Sequence, residues 1–243
     1  MTRSAMGAPD RFTTPLYTVA EAARYLDVPA STLASWTHGY RLLAPSSREV
    51  MRVPVLTVLP RAGARGPIIF FVGLAEGLAL TAMRNSGVPL SRIQPALMQM
   101  EQELGIAHAL ASRRFVTDGA EVLYDYAECD DDPTAAKAAR DLVVVRNHQV
   151  VFNDAVERCL RRLDFGDDGY ARLIHLPAYK TADVVVDPTR GFGQPIFARG
   201  GTRIEDALSL FRAGEALEAV AAEFGVPPVE LEDVVRIAIH VAA

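Results

Sequence analysis

Cysteine is nearly missing from this 243-residue chain. Cys129 and Cys159 are its only two, and they are not in CxxC spacing. A disulfide framework is therefore excluded, and the pair reads as two ordinary thiols of a reducing compartment. Lysine is almost as scarce: of 25 basic residues only Lys137 and Lys180 are lysines. Arginine dominance suits forked contacts to phosphate. Long apolar runs are lacking too. The longest stretch without a charged residue, Val28 to Tyr40, is far too short to cross a bilayer. Residues 1–15 hold no apolar run of the kind a secretory leader carries, so a cytoplasmic protein without membrane contact is expected. The histidines, His38, His108, His148, His175 and His240, form no HxH or HxxxH pair, and no metal site is expected. HExxH, GxSxG, GxGxxG and P-loop motifs are absent, as is any helix motif of paired carboxylates. Neither an enzyme nor a cofactor is expected.

What is present is a globular composition, 50% apolar and 23% charged, enough to offset the entropy of ordering. The length fits one domain or two to three small ones. The net charge of −5 argues against a non-specific nucleic-acid binder, but the charge is unevenly spread. Residues 1–66 hold 8 arginines against 4 acids. Residues 67–140 hold 6 basic and 10 acidic groups, and residues 141–200 balance at 8 each. Residues 201–243 hold 3 arginines against 8 acids. A basic head and an acidic tail point to different partners at the two ends.

In the head, Thr18 and Glu21 form a capping box that opens a helix with Val19, Ala22, Ala23 and Leu26 on one face. Asp27-Val28-Pro29 breaks it. A second helix begins at Ser31, with Leu33 and Trp36 inside and Ser31, Thr32 and Ser35 outward. This is a helix-turn-helix pattern whose outward residues suit phosphates or base edges. Two β-prone runs, Val53–Leu59 and Pro67–Val72, then flank a glycine-containing tip with Arg61 and Arg65. A wing that meets the sugar-phosphate edge needs such a tip. Arg41, Arg48 and Arg52 on the connection add candidate phosphate contacts. A helical pair over 73–104 follows, the first helix ended by Gly87 and the second capped by Ser91 with Ile93, Leu97, Met100 and Leu104 inward.

The strings YTVAEAARYL at 17–26 and VPASTL at 28–33, with Trp36, resemble a MerR-type winged helix-turn-helix. Proteins of that type commonly carry an arginine directly after the position of Leu33. Ala34 stands there in this chain, so DNA affinity leans on the wing and on dimerisation.

The middle yields less. Arg113–Val116 and Val122–Tyr126 flank Thr117-Asp118-Gly119-Ala120 and read as a hairpin; Cys129–Pro133 reads as a linker. Leu142–Arg146 is a β-prone run, Phe152–Leu163 reads as a helix, and Ala171–Leu176 and Val184–Val186 read as short strands. Gly166–Gly169, Gly191-Phe192-Gly193 and Gly200-Gly201 are turns. At the C-terminus, three helices are expected: one opened by Glu205 and Asp206 and ended by Gly214, one over Ala216–Phe224, and one opened by Pro227 or Pro228. The last carries Leu231, Val234, Val235 and Ile239 inside. The fold class expected is α+β, mainly helical: a winged helix-turn-helix head (1–105), a mixed middle (106–198) and a three-helix unit (199–243).

GQPIF at 193–197, GTRI at 201–204, Ala213-Gly214 and AAEFGV at 221–226 resemble the DUF433 domain. Its combination with a MerR-like head is similar to the long VapB-type antitoxins. That resemblance implies a PIN-type ribonuclease toxin as partner, neutralisation of it, and repression of the antitoxin's own promoter by a homodimer on operator DNA. The acids at the start of the last helix repel phosphate. The head is therefore predicted to bind DNA, and Glu230, Glu232, Asp233 and Arg236 of the tail to contact the toxin or a second copy. The alternative is a stand-alone MerR-like regulator that senses a small molecule through residues 105–198.

Overall fold

The computed structural model describes residues 9–38, 41–43, 49–51, 55–59, 66–88, 97–98, 102–103, 105–129, 133–146 and 149–242. Among these residues the fold is α+β, mainly helical, with small antiparallel sheets. In chain order, β1 (Pro15–Tyr17) leads into α1 (Val19–Tyr25) and α2 (Ala30–His38). β2 (Arg41–Leu43) and β3 (Glu49–Met51) form a hairpin. β4 (Ile69–Phe70) pairs antiparallel with β1 and runs straight into α3 (Phe71–Asn85).

Helix α3 is the pillar of the molecule. Every residue from Phe71 to Met83 is buried. A helix apolar on all sides belongs inside, covered on every face. β1, β4, the 3-10 turn Ala109–Ala111, and the middle region's α6 (Asp154–Leu160) and β8 (Ala171–His175) all pack on it. One buried cluster extends from Tyr17 to Val235 and so joins head, middle and tail.

The middle departs from expectation in one large respect. Residues 113–129 form a single helix, α4 (Arg113–Cys129), not a hairpin. Its buried positions, Phe115, Gly119, Ala120, Leu123, Tyr126 and Ala127, recur at helical spacing. Gly119 is there for close packing: a Cβ at that position would lie 2.8 Å from the Phe115 ring and 3.3 Å from the Phe152 ring. Pro133 opens α5 (Pro133–Arg140), where its missing N–H costs nothing. β5 (Val143–Arg146) and β6 (Gln149–Phe152) form a hairpin in full register. The helix expected over Phe152–Leu163 is shorter, because Phe152 ends β6 and Leu163 opens β7 (Leu163–Phe165). Asn153 caps α6 by accepting from the Ala155 and Val156 amides, which fixes its start.

A four-stranded antiparallel sheet, ordered β10-β9-β8-β7, follows, with β9 at Val184–Val186 and β10 at Ile196–Phe197. The tail forms the three expected helices, α7 (Ile204–Arg212), α8 (Leu217–Phe224) and α9 (Pro228–Ala242). Gly225 caps α8 in the left-handed conformation, φ +64°. On α9 Leu231, Val234 and Val235 are buried and Ile237 and Ala238 pack half-buried on the core, but Ile239 is 60% exposed and not inside as expected. Both cysteines are free; burial pushes the Cys159 thiol up to about 11. Among the described residues no helix is long and apolar enough to cross a membrane.

Candidate nucleic-acid interface

The capping box closes as expected. The Thr18 hydroxyl accepts from the Glu21 amide at 3.2 Å, and the Thr18 amide donates to Glu21 Oε2 at 2.9 Å. Ala22, Ala23, Tyr25 and Leu26 are buried beneath α1, and Leu33 and Trp36 beneath α2. The Trp36 carbonyl accepts from the Val55 amide at 3.0 Å, so the chain returns to the end of the second helix. The pair docks on α3 at Gly77, where an added Cβ would sit 2.8 Å from Leu26 Cδ1. That burial turns Ser31 and Ser35 to solvent and leaves Thr32 half-exposed on the same helix. The Ser35 hydroxyl donates to the Thr32 carbonyl at 2.6 Å within the helix. α2 thus presents short polar groups on an outward face, which is the arrangement a recognition helix requires.

The wing differs from its expected form. Val72 belongs to α3, and among the described residues the two β-prone runs meet in one antiparallel bridge, Val58 to Ile69, with the Leu59 amide donating to the Ile68 carbonyl at 2.7 Å. In the head, the hairpin among the described residues is β2–β3, in register Arg41↔Met51, Leu42↔Val50 and Leu43↔Glu49. The run up to α3 is apolar throughout, so a two-residue strand passes directly into a buried helix. Arg41 lies in β2. Its side chain lies outside the described residues, as do Arg48, Arg52, Arg61 and Arg65.

Behind the bridge, a polar cluster ties residues 55–59 to the pillar. The buried Glu76 carboxylate accepts from the Thr57 amide at 2.6 Å and from the Thr57 hydroxyl at 2.8 Å. His108 Nδ1 stands 3.1 Å from Glu76 Oε1 and 2.8 Å from Thr57 Oγ1. Gly73 lets the Thr57 carbonyl press against the α3 backbone. These residues meet from positions 57, 73, 76 and 108, and no local pattern announces them.

The middle ties the head to the tail. Asp27, at the turn between α1 and α2 with φ +57°, pairs with Lys180 at 3.1 Å. Asp233 of α9 is 3% exposed and accepts the amides of Lys180, Thr181 and Ala182 at 2.8–3.0 Å. Burial pushes its carboxyl up, but those three amides and Arg236 outweigh it and hold the group below its ordinary value. Asp233 is therefore an internal anchor and not the outward contact expected from sequence; three backbone donors have drawn it inside. Glu232 and Arg236 are exposed and paired at 3.0 Å, and Glu230 is half-buried. A groove of about 630 Å³ separates the α1–α2 turn from α9, with Arg24 on one wall and Arg236 on the other.

Residues 15–97 match a family model described as "Putative DNA-binding HTH domain". The chain is 44% identical over 224 residues to the Mycobacterium tuberculosis protein named "Putative antitoxin VapB45", covering 92% of this chain and 93% of that one. It is 25% identical over 226 residues to "Uncharacterized protein Rv2308" of the same organism, covering 90% and 88%. The crystal structure of Rv2018 from Mycobacterium tuberculosis is similar throughout, with a TM-score of 0.81 at 42% identity over 93% of this chain and 99% of that one. This chain belongs to the family of the protein named "Putative antitoxin VapB45", with a helix-turn-helix domain at its N-terminal end.

Proposed function

We propose that the chain is an antitoxin of the VapB type: it binds and neutralises a PIN-type ribonuclease toxin and, as a homodimer, represses its own promoter by binding operator DNA. What supports the reading is the full-length relation to a protein carrying an antitoxin name, together with the outward Ser31–Thr32–Ser35 face of α2. In this reading the MerR-like head (1–105) meets DNA through α2 and the arginines Arg41, Arg48, Arg52, Arg61 and Arg65. The middle (106–198) carries the common core, and the DUF433-like tail (199–243) faces protein partners through Glu230, Glu232 and Arg236. The activity is regulatory and not catalytic.

The test is a gel-shift titration on the chain's own promoter at several salt concentrations. Changing Ser31 and Ser35 together to Glu places two charges against phosphate, and the shift is expected to vanish without loss of Tm. Changing Arg61 and Arg65 together to Ala is expected to weaken binding and flatten its salt dependence by up to about two counterions. Unchanged affinity in the serine pair would remove α2 from the interface.

One observation favours a second reading, a ligand-sensing regulator. A pocket of about 350 Å³ lies in the middle region, lined by Val116, Ala120, Phe152, Leu160, Leu163 and Phe165 together with the polar Thr117, Glu157 and Arg161. Its dimensions suit a small molecule with an apolar body and a polar group. A ligand that saturates this pocket and changes operator affinity would favour this reading.

A further inference from the structure

The turn Gly191-Phe192-Gly193 is more than a change of direction. All three residues lie in the left-handed region, with φ of +57°, +55° and +74°. Phe192 is the one among them with a side chain to strain, and it is 57% exposed. A non-glycine residue there pays in backbone strain, and an aromatic ring in water forgoes burial. Such a residue persists where the surroundings over-determine it.

They do so here. An added Cβ at Gly193 would lie 2.8 Å from Leu16 Cδ1 and 3.0 Å from the Tyr17 hydroxyl, and one at Gly191 would lie 3.0 Å from Ile196 Cγ2. Both glycines are pressed on the core, and Phe192 between them is left outside. The buried Tyr17 hydroxyl donates to the Gly193 carbonyl at 2.9 Å. On the other side Asp187, 2% exposed, accepts from the Thr189 amide at 2.8 Å, the Thr189 hydroxyl at 2.6 Å and Arg190 Nε at 3.1 Å. The bond through Nε orients the guanidinium and leaves its two terminal amino groups as a fork on a side chain 45% exposed.

We propose that the Arg190–Phe192 loop is a prebuilt anchor for a partner protein, the Phe192 ring entering an apolar pocket and the Arg190 fork pairing with a carboxylate at its rim. Aromatic and arginine side chains dominate binding hot spots, and a loop already held in shape loses little entropy on docking. Charge sets the partner's chemistry. Residues 187–203 carry Arg190, Arg199 and Arg203 against Asp187 alone, whereas residues 204–243 carry 2 arginines and 8 acids. Arg203 is engaged by Asp206 at 2.7 Å and Arg190 through its Nε by Asp187 at 3.1 Å, which leaves Arg199 and the terminal amino groups of Arg190 for a partner. An acidic protein surface is drawn to this loop and repelled by the tail helices. Within the antitoxin reading, on which this rests, that partner is the toxin.

The test is calorimetric titration of the purified full chain with the protein encoded beside it in the genome. Phe192→Ala and Arg190→Ala are each expected to weaken binding about tenfold or more, with promoter affinity unchanged. Phe192→Gly, which suits the left-handed backbone, is expected to lose the same affinity with Tm kept, so that lost folding does not explain the result. Wild-type affinity in both alanine variants would overturn the anchor and leave the antitoxin reading standing. So would a dimer that Phe192→Ala dissolves while toxin affinity stays intact, since the loop would then join copies of this chain. A wild-type chain that does not bind the neighbouring protein would overturn the antitoxin reading and the anchor with it.

Discussion

Asp233 shows how one side chain can look functional in sequence and prove structural. Near other acids at the start of a helix it reads as a surface charge, yet its carboxylate gathers three successive amides from a segment 51–53 residues away. Charge-assisted bonds of this kind are among the stronger ones, and leaving the amides unpaired is costly. Asp233→Asn is expected to destabilise the chain by about 2–4 kcal/mol, read as a lower Tm at neutral pH. The folded group sits below its ordinary value, so its contribution is complete above the unfolded pKa of about 4 and fades as pH falls through the folded value. The Tm gap between wild type and variant should therefore narrow on acidification below about pH 4. A gap that does not change with pH would mean the carboxylate's charge is not what holds the loop.

At the scale of elements, two glycines of α3 set how the head docks. A Cβ at Gly73 meets the Thr57 carbonyl, which is backbone and cannot swing away. A Cβ at Gly77 meets the end of the Leu26 side chain, which can rotate. Gly73→Ala is expected to cost about 2–3 kcal/mol and Gly77→Ala about 1 kcal/mol or less, measured by denaturant unfolding. Equal costs would mean that the backbone at Thr57 yields as easily as a leucine. The same scale shows where periodicity speaks clearly and where it misleads. Helices α1, α2, α7 and α8 announce themselves through caps, breakers and one-sided apolar spacing. In α4, Gly119 imitates the turn of a hairpin, and only the Phe115 and Phe152 rings closing on it explain why a helix keeps a glycine at its centre. In α3 Leu74, Leu78 and Met83 mark one inward line, but burial runs all round and takes in Glu76 and Thr81, which one-sided spacing does not show.

At the scale of the molecule, four stretches of different charge share one core. A cluster continuous from Tyr17 to Val235, pinned by Lys180 between Asp27 and Asp233, predicts one cooperative unfolding transition. Trp36, the single tryptophan, lies 4% exposed within the head and reports on it alone, whereas far-UV circular dichroism reports on every helix. The two thermal curves are expected to coincide. An earlier change at Trp36 would show that the helix-turn-helix melts by itself.

The sequence by itself determined the helix-turn-helix, its outward Ser31–Thr32–Ser35 face, the three tail helices and the α+β class, because caps, glycine stops and apolar spacing are local properties of the chain. Tertiary structure alone decided that α3 is the pillar, that residues 113–129 are one helix, that Asp233 turns inward and that Phe192 turns outward. Each of these depends on partners distant in sequence: α6 and β8 against α3, Phe152 on Gly119, the amides of 180–182 on Asp233, and Leu16 and Tyr17 beneath Gly193. Local pattern carries no record of such partners, because burial is settled only when the elements pack.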